Sequence, residues 1–266
     1  MYDLHFIMPV APSIQKYKDR LTDMKSFGIV NVGSYKVKVT LLVEEQFTEC
    51  NWLLHGWHAG IEVDYIKMPY TNVEHKFALY YLNYVSRMSN KAAWTVRIDD
   101  DSATDVTALM HRLEEFDPDE PHHLIAKQCG GIFNLMDEYR KLFHKFGFTN
   151  EMMHEWNHSW EVAVDSRKAT CRFAASGAVK RLYNEILKSP QNKTWWTDQL
   201  HCYAMRLCKI HPHITNFLSK DPNVGNFSFT GGKFVHIHYV SRDQHKPKWE
   251  HFVESMEEVL NEQHFP

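Results

Sequence analysis

The sequence predicts an α/β fold with a mostly parallel central sheet flanked by helices. Two observations carry this expectation. Short apolar runs ending at turn residues alternate with longer segments of helical spacing. The strand-like runs also end abruptly in polar loops, Ala11-Pro12-Ser13 and Asp99-Asp100-Asp101, and in parallel sheets ligands sit beyond the carboxyl ends of the strands.

Taken in order, Leu4–Val10 reads as a strand that stops at Ala11-Pro12-Ser13, where a loop leads into a helix near Ile14–Phe27. Val37–Val43 is a second β-branched strand and ends in Glu44-Glu45. Trp52–Gly60 reads as helical and Ile61–Ile66 as a strand. Lys76–Met88 carries Phe77, Leu79, Tyr80, Tyr84 and Met88 at helical spacing. Trp94–Ile98 is a strand closed by the three aspartates, and Ser102–Val106 reads as the start of a helix that continues over Val106–Phe116. His122–Lys127 follows as a strand and Met136–Phe146 as a helix. Ser159–Val164 and Ala169–Ala174 read as strands around a turn at Asp165-Ser166-Arg167. Ala178–Leu187 and Thr197–Cys208 read as helices, Lys233–Tyr239 as a last strand and Trp249–Asn261 as a terminal helix. There is no repeat and no low-complexity linker, so the 266 residues form one unit.

Composition excludes several classes. Hydrophobic residues make up 44% and charged residues 24%, the balance of a soluble globular chain. A net charge of -3 supplies no global field for nucleic acid. Five cysteines, odd in number and without a C-x-x-C pair, argue against a disulfide framework or a cysteine-based zinc site and fit a reducing compartment. No apolar run reaches transmembrane length and the start lacks a basic signal region, so the expected location is cytoplasmic, with docking on a membrane surface left open.

Asp99-Asp100-Asp101 is the most informative feature. Carboxylates crowded at a strand end repel one another, and a bound divalent cation resolves that cost. An Asp-x-Asp pair arises about once by chance in a chain of this composition, so its position after a strand gives it weight. The plain alternative is a solvated loop before a helix N-terminus that welcomes acids. Late in the chain, Phe234, His236 and His238 share one face of a strand. His238 is the stronger candidate to complete a metal shell, and its imidazole suits Mn2+ better than Mg2+. Arg242, His245, Lys246 and Lys248 then form a basic loop suited to a leaving diphosphate, or to plain solvation. Asp198 is either a helix cap or a general base, with Trp195 and Trp196 offering apolar faces to a sugar.

A competing motif is His154-Glu155-Trp156-Asn157-His158, which matches the H-E-x-x-H of zinc hydrolases. Its flanks are crowded by Trp156, Asn157 and Trp160, and no third ligand follows at a familiar spacing.

Four elements appear in a set order: Met8-Pro9-Val10-Ala11, Val96-Arg97-Ile98-Asp99-Asp100-Asp101, Trp196-Thr197-Asp198-Gln199, and His238-Tyr239 with Lys246-Pro247-Lys248-Trp249. This order resembles the GT-A class of nucleotide-sugar glycosyltransferases. The resemblance implies a single domain over 1–266, with a Rossmann-like nucleotide-sugar-binding half at 1–105 and an acceptor-binding half at 106–266 that carries the metal and diphosphate loop. It implies a UDP-sugar or related donor, Mn2+ or Mg2+ as cofactor, and a glycan acceptor. Asp101 would be the firmer metal ligand, with Asp99 nearer the donor sugar and His238 as the late ligand. Pro9, Val10 and Ala11 would line the nucleobase pocket, and Lys76, Arg97, Asp100 and Lys246 would complete the donor-binding set. Asp198 would be the catalytic acid–base group and Trp195 and Trp196 would meet the acceptor.

Two subgroups compete. Asp198-Gln199 and the Lys-Pro before Trp249 look like the retaining glycogenin-like and lipopolysaccharide galactosyltransferase group, but Ser241 replaces that group's glycine and Lys248 is inserted before Trp249. Arg97-Ile98-Asp99-Asp100-Asp101 with Ala174-Ala175-Ser176-Gly177-Ala178 looks like the inverting Fringe type, and inversion is slightly favoured. The further expectations are a zinc hydrolase centred on His154, Glu155 and His158, and a noncatalytic nucleotide- or carbohydrate-binding protein.

Overall fold

The computed structural model describes residues 1–68, 92–127, 137–156, 160–188, 197–215 and 236–238. Its centre is a seven-stranded sheet. The strands are β1 (Tyr2–Val10), β3 (Val37–Glu44), β4 (Ile61–Met68), β5 (Ala92–Arg97), β7 (His123–Lys127), β8 (Trp160–Ser166) and β9 (Pro212–Thr215), in the spatial order β4-β3-β1-β5-β8-β7-β9. β4, β3, β1 and β5 run parallel. β8 is antiparallel to β5 and β7, and β9 is parallel to β7. A second, three-stranded sheet pairs β10 (His236–His238) and β2 (Ile29–Val30) with β6 (Ser102–Asp105).

The period-two alternation of a strand divides the core into two layers. Leu4, Phe6, Met8 and Val10 of β1 join Val37, Val39, Leu41 and Val43 of β3 on one face, beneath α1 (Gln15–Asp23) and α3 (Val106–Leu113). Ile7 and Leu42 point the other way. They join a core with Phe143 of α4 (Asp137–Lys145), Met153 of α5 (Asn150–Trp156), Phe173 of α6 (Arg167–Ala175), Leu182 of α7 (Gly177–Leu187) and Tyr203 of α8 (Thr197–Leu207). Helices therefore cover both faces, as a sheet buried on two sides requires. Each fully buried Leu, Ile, Val or Phe contributes about 1.5–3 kcal/mol. No helix among the described residues is long and apolar enough to cross a membrane.

Three local expectations are corrected. Ser102–Asp105 is strand β6 rather than the first turn of a helix. Its four residues are buried, and it is Asp105 that caps α3 by accepting the Ala108 N–H at 2.8 Å. Ala169–Ala174 lies in helix α6 rather than in a strand. Ser166 caps that helix by accepting the Ala169 N–H at 3.2 Å, and Ala169, Thr170 and Phe173 form its buried face. Asp165 accordingly sits inside β8 and not in a turn. Trp52–Gly60 holds only the end of α2 (Cys50–Leu54), because Gly56 and Gly60 take φ values of +85° and +88° that a continuing right-handed helix excludes. The expected helices at 76–88 and 249–261 lie outside the described residues.

Candidate active site

The parallel strands deliver their carboxyl ends to one edge of the sheet. Val10 pairs with Val43, and Ile7 with Arg97. The loop after β1, the end of β3 and the Asp99–Asp101 loop therefore lie side by side. This is the crevice position at which open α/β sheets bind ligands.

The three aspartates have different surroundings. Asp99 is the most exposed, with a side chain 33% accessible. Arg97 grips it with two bonds: Nη2 lies 2.6 Å from Oδ1, and Nη1 donates to Oδ2 at 3.1 Å. Such a fork holds a carboxylate in one orientation. Asp100 and Asp101 are buried. Arg20, from α1, donates to Asp101 Oδ2 at 3.1 Å and approaches Asp100 Oδ1 to 3.6 Å. Burial pushes the Asp100 carboxyl well above its usual range, the neighbouring Asp101 charge adds to this, and Arg20 opposes it. Among the described residues, Arg20 and Arg97 both pair with this group of carboxylates.

The late histidine reaches this loop through the small sheet. β10 is antiparallel to β6 with His238 opposite Ser102, the residue after Asp101. Among the described residues this pairing brings backbone from the far end of the chain to the aspartate loop. Carboxylate oxygens and an imidazole nitrogen are donor types that suit Mn2+.

Pro9, Val10 and Ala11 are buried at the end of β1. The Val10 side chain packs in the core beneath α1, so a base seated there would meet the strand-end backbone rather than that side chain. Asp198 falls in the first turn of α8. Lys76, Trp195, Trp196 and Lys246 lie outside the described residues. His154 and Glu155 fall in α5, and His158 lies outside the described residues.

Two features escaped the residue reading. The first is Glu44, 1% exposed at the end of β3. Its Oε1 accepts the Ser13 N–H at 2.6 Å, and its Oε2 has no hydrogen-bond partner among the described residues. A buried acceptor at a ligand-binding strand end is a site for a donor group. The signal was present, since Glu44 ends its strand in charge as Asp99 does.

The second is a buried cluster of His123 from β7, Asp165 from β8, and His201 and Cys202 from α8. Asp165 Oδ1 lies 2.6 Å from His123 Nδ1, and its Oδ2 lies 2.8 Å from His201 Nε2. The far nitrogen of His123, Nε2, is 3.6 Å from Cys202 Sγ. The two imidazoles stack with centroids 5.1 Å apart, and Phe173 stacks on His201 at 5.7 Å. Both histidines are 0% exposed. Burial alone would raise the Asp165 carboxyl, but the charges and hydrogen bonds of His201 and His123 outweigh it and hold the group below the carboxylate range. Burial lowers His201, and Asp165 only partly offsets this. His123 Nδ1 and Asp165 Oδ1 are hydrogen-bonded at 2.6 Å, and His201 Nε2 faces the other carboxylate oxygen at ion-pair distance.

No family model matches the sequence, and no curated protein matches it. Solved structures do. The glycosyltransferase GlyE of Streptococcus pneumoniae TIGR4 is similar in two structures. The apo form has a TM-score of 0.53 over 98% of this chain and 64% of that one, at 13% identity. The other gives 0.51 over 99% and 64%, also at 13% identity. Mouse xyloside xylosyltransferase 1, in its apo form, matches over 81% of this chain and 85% of that one at 12% identity, with a TM-score of 0.44. The chain thus spans about 64% of the length of GlyE. At this identity the likeness is one of fold, and that fold is GT-A-like.

Proposed function

We propose that this chain is a metal-dependent glycosyltransferase, moving a sugar from a nucleoside-diphosphate sugar to an acceptor hydroxyl of a glycan. The observation that carries the reading is the backbone pairing of His238 with Ser102, the residue after Asp101. The fold shared with GlyE supports it.

In this reading residues 1–105 bind the donor and 106–266 the acceptor and the departing diphosphate. Asp101, Asp99 and His238 would hold Mn2+, or Mg2+ less well. When bound, the cation supplies positive charge to the leaving diphosphate, and Lys246 shares that load. Arg97 fixes Asp99 for the donor. The backbone at Pro9, Val10 and Ala11 seats the base, and Glu44 Oε2 accepts an N–H from its edge, which suits the single N–H of uracil and hence a UDP-sugar. Asp198 accepts the proton of the acceptor hydroxyl as its oxygen bonds to the anomeric carbon, and the bond from that carbon to the diphosphate oxygen breaks. This single displacement inverts the anomeric centre. Trp195 and Trp196 offer apolar faces to the acceptor sugar.

The experiment is a panel of UDP- and GDP-sugars with Mn2+, scored by nucleotide release and by calorimetric binding. The reading expects binding and turnover of one donor, both lost in Asp101→Ala. Binding without turnover across the panel would make the chain a noncatalytic binder. No metal-dependent binding, with Asp101→Ala unchanged, would refute the reading.

A further inference from the structure

Arg97, Asp165 and His123 belong to one face of the sheet. Arg97 pairs with Ala163, two residues before Asp165 on β8, and Asp165 pairs with His123 on β7. Residues two apart on a strand share a face, and Arg97, at the end of β5, holds Asp99 in the loop beyond it. α8 lies on this face: His201 contacts Asp165 at 2.8 Å, and Cys202 packs against Ile125 and Ala163. His201 follows Asp198 by three residues, less than one helical turn.

We propose that Asp165 and His201, with His123 behind them, are positioning residues: they clamp the first turn of α8, and with it Asp198, in register with Arg97 and Asp99. The inference rests on the transferase reading above. Three arguments support it. The clamp holds α8 at two adjacent residues, His201 facing Asp165 at 2.8 Å and Cys202 Sγ 3.6 Å from His123 Nε2. The surroundings are apolar, with Phe173 and Ile125 nearby, so a carboxylate here is costly and its removal alone leaves its partners unsatisfied. The cluster also lies beside the crevice, because Arg97, whose guanidinium holds Asp99, pairs with Ala163, two residues before Asp165 on β8. None of the three clamp residues is placed against substrate, so their effect runs through α8. A shift of about 1 Å at a reacting group costs on the order of 100-fold in rate.

The test compares the full chain with His201→Leu, His201→Gln and Asp165→Asn, using a UDP-sugar that the wild type turns over with Mn2+. The glutamine amide keeps a polar N–H donor facing Asp165, which His201 Nε2 approaches to 2.8 Å, whereas leucine does not. The expected result is a kcat for nucleotide release about 10- to 100-fold lower in His201→Leu, with donor affinity by calorimetry within about twofold of wild type, and restoration in His201→Gln to within about threefold. A folded His201→Leu with wild-type kcat, or the same kcat in both His201 variants, overturns the proposal. If His201→Leu does not fold, Asp165→Asn is read in its place with the same expected split. Loss of a cooperative melt in both would mean that the cluster serves the fold alone, which also overturns it. One equivalent of tightly held zinc in the wild type, lost in His123→Ala, would make the cluster a metal site and overturn it too. Failure of the wild type to turn over any donor sinks the transferase reading first, which separates the two failures.

Discussion

Replacing Arg20 with methionine is the sharpest perturbation of the aspartate loop. The guanidinium lies 3.1 Å from Asp101 and 3.6 Å from Asp100, and all three side chains are at least nine-tenths buried. Removing one partner of a buried ion pair costs about 3–5 kcal/mol, because the remaining charge is left uncompensated. Protonation of Asp100, already favoured by burial, absorbs part of this, so the lower end, about 3 kcal/mol, is expected. At roughly 2–4 °C per kcal/mol for a chain of this size, Arg20→Met should melt about 6–12 °C below wild type in EDTA. Metal changes the comparison. A cation held by the same carboxylates stabilises the folded state by mass action, and the variant has lost the competing guanidinium. Added Mn2+ should therefore raise the melting temperature of Arg20→Met more than that of wild type. The assay is thermal denaturation followed by tryptophan fluorescence, in EDTA and across a MnCl2 titration. Equal melting temperatures in EDTA, or equal responses to Mn2+, would refute the reasoning that Arg20 and a cation compete for the same carboxylates.

Other perturbations test other parts of the structure. Acidification should destabilise the fold in two stages: a lowered His201 leaves the folded state proton-poor below about pH 6.5, and a lowered Asp165 does the same below about pH 4. Both slopes have the same sign, so melting temperature should fall with pH, and Asp165→Asn should flatten the lower stage; an unchanged slope in that variant would contradict this. Glu44→Ala should weaken donor binding about 10-fold by calorimetry, while Glu45→Ala, on an exposed neighbour, should leave it unchanged. Ser166→Ala removes the cap of α6, the acceptor of the His122 N–H at 2.9 Å and a donor to the Glu120 carbonyl. It should cost about 1–2 kcal/mol in urea unfolding at an unchanged m-value.

The parts of the fold that periodicity governs were legible in the residues. β1, β3, β4 and β5 are apolar runs cut off by charge or turn residues, and the structure places each of them near its expected bounds. Where two signals competed, the reading failed. In Ser102–Asp105 the small and polar residues suggested a helix start, yet pairing with β2 and β10 holds them as a strand until Asp105 caps α3. In Ala169–Ala174 a short apolar run resembled a strand, although its two alanines have the highest helix propensity and Ser166 stood three residues ahead as a cap. Asp99–Asp101 was legible as a crowded acidic strand end because its carboxylates are consecutive. His123, Asp165 and His201 were not, because their meaning lies in a contact among β7, β8 and α8 that no local pattern encodes. Arg20 was hidden for the same reason, as one cation on an amphipathic helix whose partners come from β5's far end.

The central claim is that Asp101 and its neighbours hold a divalent cation for a nucleotide-sugar donor. The most direct measurement is calorimetric titration of a UDP-sugar into the protein, with and without Mn2+, for wild type and Asp101→Ala. Saturable binding by the wild type that requires Mn2+ and that Asp101→Ala abolishes is expected. Donor binding that is indifferent to Mn2+ and survives Asp101→Ala would contradict it.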